Sequence, residues 1–250
     1  MSMLQGWSRV DIAGRHCEVF QPRRPNPHAF TVVYLHDLAS TSLAANPVFS
    51  ELFDRYGLPV IAPIAGPCWW ADRRCPEFTA DVTPEQFVRQ QVMAYIADRW
   101  ASVPPRIALL GISMGGQGAL RFAFKNPNMF PIAAAISPAI DYQRHFGADD
   151  DTTLPAMYDD PEAVRQDTAI LHVHPLNWPR NLWFCCDPTD HDWHEGGERL
   201  RMKLSALGIP HDHDLETRAG GHSWAYFNHM ASRAVAFLAE RLERERLRVV

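Results

Sequence analysis

A serine stands at the centre of Gly111-Ile112-Ser113-Met114-Gly115, with a glycine two residues away on either side. The spacing matches G-x-S-x-G, a sharp strand-to-helix turn that projects a serine hydroxyl away from the backbone. Glycines suit such a turn because the strand and helix approach where side chains would clash. A serine hydroxyl is a weak nucleophile until a base takes its proton. The chain offers 12 histidines, so position must choose among them. His222, in Gly220-Gly221-His222-Ser223-Trp224, falls in a loop between the last predicted strand and the last predicted helix. It is the expected base. His211 and His213 read as solvent-face residues of a strand, and His229 as a helix residue. An acid between serine and histidine completes one of the chain orders in which such triads occur. Asp190 is the preferred acid, three residues past a predicted strand; Asp187, at the strand terminus, is the alternative. The oxyanion needs backbone donors. Met114 N–H, directly after the serine, is one. Leu38 N–H, in the turn His36-Asp37-Leu38-Ala39, is assigned as the other.

The elements that must position these groups follow from periodicity. Continuous apolar runs at 31–36, 58–64, 106–112, 132–137 and 181–186 read as buried strands, and 212–217 alternates like a strand. Asn46-Pro47 starts a helix that ends at Gly57. Thr83-Pro84-Glu85-Gln86 starts another as a capping box. Helices are also expected over 114–125, 196–207 and 224–246, with local helix signals at Asp160-Pro161. Strands alternating with helices predict an α/β fold, a mostly parallel central sheet with helices on both faces. Residues 1–250 are expected to form a single domain. Two regions rich in Pro and Trp, 66–82 and 141–179, are expected to cover the catalytic end of the sheet. Within the first, Trp69, Trp70 and Arg73 are candidate substrate-binding residues. Aromatic packing is the alternative reading of the tryptophans.

Composition limits the function. Of 250 residues, 46% are apolar and 21% charged, so a charged disordered chain is excluded. The net charge of −5, from 24 basic and 29 acidic residues, comes without a basic stripe. Nucleic acid is therefore not an expected partner. The most apolar stretch, 131–140, is half of the roughly 20 residues a membrane span needs. Cys17, Cys68, Cys75, Cys185 and Cys186 are odd in number and lack C-x-x-C spacing, which predicts free thiols in a reducing compartment. Met1–Arg9 lacks a signal pattern, and a cytoplasmic location is expected.

The run Gly111-Ile112-Ser113-Met114-Gly115-Gly116-Gln117-Gly118-Ala119-Leu120, followed by Lys125-Asn126-Pro127 and Phe130, resembles the putative esterase family of α/β hydrolases. That family includes esterase D (S-formylglutathione hydrolase), feruloyl-type esterases and mycolyltransferases. Gly221-His222-Ser223-Trp224 with Tyr226 and Phe227 is similar to its histidine motif. The resemblance covers roughly residues 31–238. It implies an α/β-hydrolase fold, no cofactor, and cleavage of a small-molecule ester or thioester. It carries the nucleophile onto Ser113, the base onto His222 and the acid onto Asp190. One position departs: many members have His-Gly after the first core strand, where this chain has His36-Asp37. Asp37 is expected to turn outward toward a cation such as Arg73, since a carboxylate near a developing oxyanion would oppose its charge.

Three other activities use the same residues or their neighbours. An acyltransferase would keep the triad and replace water with a second alcohol. A metal-dependent hydrolase would rest on Asp190, His191, Asp192, His194 and Glu195, which lack H-E-x-x-H spacing, so no metal is expected. A binding module with an inactive site would not need Ser, Asp and His in this order.

Overall fold

The computed structural model describes residues 3–79, 81–148 and 153–248. Residue 80 and residues 149–152, which fall in the two covering regions, lie outside the described residues, as do both ends of the 1–250 span.

Eight strands form one sheet: β1 (Trp7–Ile12), β2 (Arg15–Phe20), β3 (Thr31–Leu35), β4 (Val60–Pro63), β5 (Ile107–Ile112), β6 (Ile132–Ile136), β7 (Asn181–Cys185) and β8 (Asp212–Asp214). Their order is β1-β2-β4-β3-β5-β6-β7-β8. The pairs β1–β2 and β2–β4 are antiparallel, and every pair from β4–β3 to β7–β8 is parallel.

The helices are α1 (Pro47–Arg55), α2 (Pro84–Phe87), α3 (Met93–Trp100), α4 (Met114–Lys125), α5 (Thr153–Met157), α6 (Pro161–Gln166), α7 (His194–Ala206) and α8 (Trp224–Arg246). A π-helical segment, Val88–Val92, joins α2 to α3.

The apolar runs are strands because both faces are covered. In β3, Val33 and Leu35 point into a core shared with α2–α4 and α7. Val32 and Tyr34 point into a second core under α1 and α8. Burying each Val or Leu side chain contributes about 1.5–3 kcal/mol, so these runs fix the register of the sheet centre. The parallel strands deliver their C-terminal ends to one edge, where such sheets place ligands.

Both N-caps form, though at Thr83 only the forward half of the capping box is present among the described residues. Asn46 accepts from the N–H of Val48 and Phe49, and Thr83 from that of Gln86. The expected strand over 212–217 ends at Asp214. That carboxylate accepts the N–H groups of Glu216 and Thr217 and the Thr217 hydroxyl, turning the chain out of the sheet.

Candidate active site

Ser113 sits between β5 and α4 with φ +54° and ψ −117°, outside the regions open to ordinary residues. Such a backbone costs on the order of 1–3 kcal/mol and persists only where its surroundings hold it. Here they do. The Ser113 N–H donates to Ile136 O (2.9 Å), and its carbonyl accepts from Gln117 and Ala139 N–H (3.1 Å each). The flanking glycines explain the motif. A Cβ on Gly111 would overlap the Gly115 carbonyl, and one on Gly115 would overlap the Leu35 carbonyl. Helix and strands therefore touch through bare backbone, and the serine side chain is left at the rim.

Three side chains from three loops meet there. Ser113 Oγ lies 2.9 Å from His222 Nε2, and His222 Nδ1 lies 2.7 Å from Asp190 Oδ2. An ionised carboxylate only accepts, so Nδ1 carries the proton and Nε2 is free to accept from the serine. Asp190 is buried, and its Oδ1 accepts from Trp193 N–H (3.2 Å). The Cys186 thiol donates to Oδ2 at 3.5 Å. Ser223 caps α8 immediately after His222.

Asp187, the alternative acid, does not reach His222. Its Oδ1 accepts from the Thr189 N–H (2.8 Å) and hydroxyl (2.7 Å). Its Oδ2 accepts from the N–H groups of Ala219 (2.6 Å), Gly220 (3.1 Å) and Gly221 (3.0 Å). Desolvation opposes its charge, but these hydrogen bonds outweigh it and hold the carboxyl well below the usual range.

The metal-capable residues diverge. Asp190 serves His222, His194 Nε2 donates to Leu215 O (3.0 Å), Glu195 pairs with Arg144 and Arg199, and His191 and Asp192 are exposed. Among the described residues, no group of three or more His, Cys, Asp or Glu side chains could hold a metal ion.

The turn after β3 is built around two residues. His36 Nδ1–H donates to the Asp37 carbonyl (2.7 Å), and its Nε2 accepts from Ala65 N–H (2.9 Å). Burial lowers its pKa, keeping the ring neutral. The expectation that Asp37 reaches toward Arg73 is corrected. Its carboxylate turns back on its own loop, accepting from the Thr41 N–H and hydroxyl at 2.8 Å each. Leu38 follows on the exposed tip, and its N–H has no acceptor among the described residues. Met114 is the first residue of α4, so its N–H has no carbonyl one turn behind it.

The tryptophans lie beneath the site and do not wall an open pocket. Trp69 and Trp70 are 1% and 0% exposed. The Trp70 indole donates to His36 O (3.1 Å), and its side chain fills the space a Cβ on Gly118 would need. Trp69 donates its N–H to Met114 Sδ (3.2 Å) and stacks on Tyr142 at 4.6 Å. Bulk drew both into the packing, with an indole hydrogen bond for Trp70 alone, and sequence type alone did not separate floor from wall. Arg73 is exposed, with its guanidinium 5.2 Å from the Tyr158 ring centroid.

The residues missed from sequence are Trp193, Cys186 and the clamping roles of Asp37 and Asp187. Only the short spacing Asp187-Pro188-Thr189-Asp190 hinted at a second job for the first aspartate.

A mostly parallel sheet with a strained serine at a strand-to-helix turn, bonded to a histidine and an aspartate from later loops, defines a serine hydrolase of the α/β-hydrolase class. The family model described as "Putative esterase" matches residues 15–238, and the chain belongs to that family. Solved structures share the fold. A ferulic acid esterase is 18% identical with a TM-score of 0.74, over 94% of this chain and 97% of that one. S-Formylglutathione hydrolase from Agrobacterium tumefaciens is 18% identical with a TM-score of 0.74, over 94% of each chain. Mycobacterium tuberculosis MPT51 (FbpC1) is 15% identical with a TM-score of 0.71, over 94% of this chain and 100% of that one. No curated protein sequence matches the chain. No helix among the described residues is long and apolar enough to cross a membrane.

Proposed function

We propose that this serine esterase cleaves a carboxylic ester or thioester through an acyl-enzyme on Ser113. The observation that carries the reading is the continuous relay Ser113 Oγ–His222–Asp190, at 2.9 and 2.7 Å. His222 Nε2 takes the serine proton as Oγ attacks the carbonyl carbon. The N–H groups of Met114 and Leu38 receive the oxyanion, and Asp190 stabilises the imidazolium. The C–O or C–S bond then breaks, and the leaving group takes the proton from His222. Water, deprotonated by the same ring, releases the acid. In this reading residues 1–250 act as one catalytic domain, with segments 66–82 and 141–179 beside the site. Two similar structures are named for an ester and a thioester, which supports a small-molecule substrate of that class. The free, buried thiols of Cys17, Cys68, Cys185 and Cys186 support a reducing, cytoplasmic setting.

Steady-state hydrolysis of p-nitrophenyl acetate tests this. Ser113→Ala and His222→Ala should each lose about 10⁴-fold or more in kcat, and EDTA should leave the wild-type rate unchanged. Full activity in Ser113→Ala would overturn the reading. An added alcohol that diverts most of the acyl group from water would convert it to acyl transfer.

A further inference from the structure

We infer that Asp187 is a positioning residue that sets the distance between His222 and Asp190, acting on both at once. Two sets of bonds carry this. Its carbonyl accepts the N–H of Asp190 (2.9 Å), fixing where the acid's backbone leaves β7. Its carboxylate gathers three consecutive N–H groups, Ala219 to Gly221, immediately before His222. The 2.7 Å bond between Asp190 and His222 therefore joins two segments already tied to one residue.

The histidine loop needs such a tie. Gly220 and Gly221 have φ of +116° and +65°, conformations that glycine visits freely and loses entropy to hold. Three successive N–H groups aimed inward form a concavity that favours an anion. The anion supplied is the chain's own side chain, and it is fully buried. The set of donors also dictates its charge state. All three groups on Oδ2, and the Thr189 N–H on Oδ1, are donors with no acceptor capacity, and together they favour the ionised carboxylate. The Asp187 carboxylate hydrogen-bonds to Thr189 and to the loop before His222, and to neither Ser113 nor His222, so it acts through the loop. This inference rests on the proposed roles of His222 and Asp190.

The variants also separate the two aspartates. Asparagine at 187 can keep one oxygen on the three loop N–H groups by turning its amide toward Thr189. It loses the charge and the Thr189 N–H bond. Alanine loses everything. Hydrolysis of p-nitrophenyl acetate is measured for the full-length wild type, Asp187→Asn, Asp187→Ala and Asp190→Asn. Fluorophosphonate labelling rates are read in parallel, and folding is checked by near-ultraviolet circular dichroism. A displacement on the scale of 1 Å costs about 10²-fold in rate, so Asp187→Ala should lose about 10²-fold in kcat with KM within about threefold. Asp187→Asn should lose about fivefold to tenfold. Asp190→Asn should lose about 10⁴-fold, as expected when the imidazole tautomer is lost. Labelling should slow in the same proportions.

If the alanine variant does not fold, the asparagine variant decides, because wild-type kcat and labelling in it would overturn the inference. Wild-type kcat in a folded Asp187→Ala would do the same. A loss in Asp187→Asn equal to that in Asp190→Asn would also overturn it, making Asp187 the acid. Wild-type protein that neither hydrolyses esters nor labels would instead sink the proposed function itself.

Discussion

Arg121 and Asp167 meet inside the molecule. The guanidinium, carried by the helix behind Ser113, donates from Nε (3.0 Å) and Nη2 (2.5 Å) to Asp167 Oδ1 on the covering segment. On its other side Arg121 pairs with Glu85, which also accepts from Lys125 at 2.9 Å. Arg121 and Glu85 are almost completely buried. Breaking such a pair leaves uncompensated charge in the interior and costs about 3–5 kcal/mol. Arg121→Met should therefore lose about that much stability in urea denaturation. A loss below about 1 kcal/mol would show that water reaches the network.

Acid should weaken the fold in two stages. His36 has its pKa lowered by burial, so the unfolded chain binds a proton that the folded one refuses. Its contribution is complete above about 6.5, the unfolded value, and is lost as pH falls toward the folded value. Asp167 follows. Burial opposes its charge, but hydrogen bonds from His172, Tyr158 and Arg121, together with the Arg121 charge, hold its pKa far below the usual range. Its contribution, with that of Asp187, is complete above about 3.9 and drains below it. Thermal melts between pH 8 and 3 should fall gently below about 6.5 and steeply below about 4. A melting temperature that rose on acidification would contradict both assignments.

The thiols should be silent in the native protein. All five cysteines are buried. Burial pushes Cys17 and Cys185 up to about 12 and Cys68 and Cys186 higher still. Thiolate is the reactive form, so iodoacetamide at pH 8 should modify all five only after denaturation and leave esterase activity intact. Rapid modification with loss of activity would place a reactive thiol at the site.

The Asp37 carboxylate fixes the turn that bears Leu38. Hydrogen bonds to charged groups contribute about 1.5–3 kcal/mol, and part of that should appear in the rate. Asp37→Gly is expected to lower kcat about tenfold, while Asp37→Asn, which can still accept from Thr41, stays within about threefold. A rise in kcat for Asp37→Gly would mean that the charge opposes the oxyanion.

The candidate nucleophile and base were legible in the sequence because their signals are written locally. The limits of α4 and α8 follow from periodicity, and Ser113 and His222 from glycine-flanked motifs. The antiparallel hairpin β1–β2 was not anticipated. In β1, only Trp7 and Ile12 are buried, so its polar middle carries no continuous apolar signal; the turn residues Ala13 and Gly14, both at positive φ, were its one local mark. The π segment at 88–92 leaves no trace in residue type. Asp187 and Asp190 differ by three positions in the sequence, and only the return of the chain at 219–222, some 30 residues later, gives them different work. Asp37 departs from expectation for a related reason: its partner is Thr41, four residues on, and not a distant cation.

The central claim is that Ser113 is the nucleophile activated by His222. Labelling with a fluorophosphonate, followed by peptide mass spectrometry, tests it most directly. The label should sit on Ser113 alone, and should be lost when His222 is replaced by alanine in a protein that remains folded. Folded wild-type protein that takes no label, or takes it on another residue, would contradict the account.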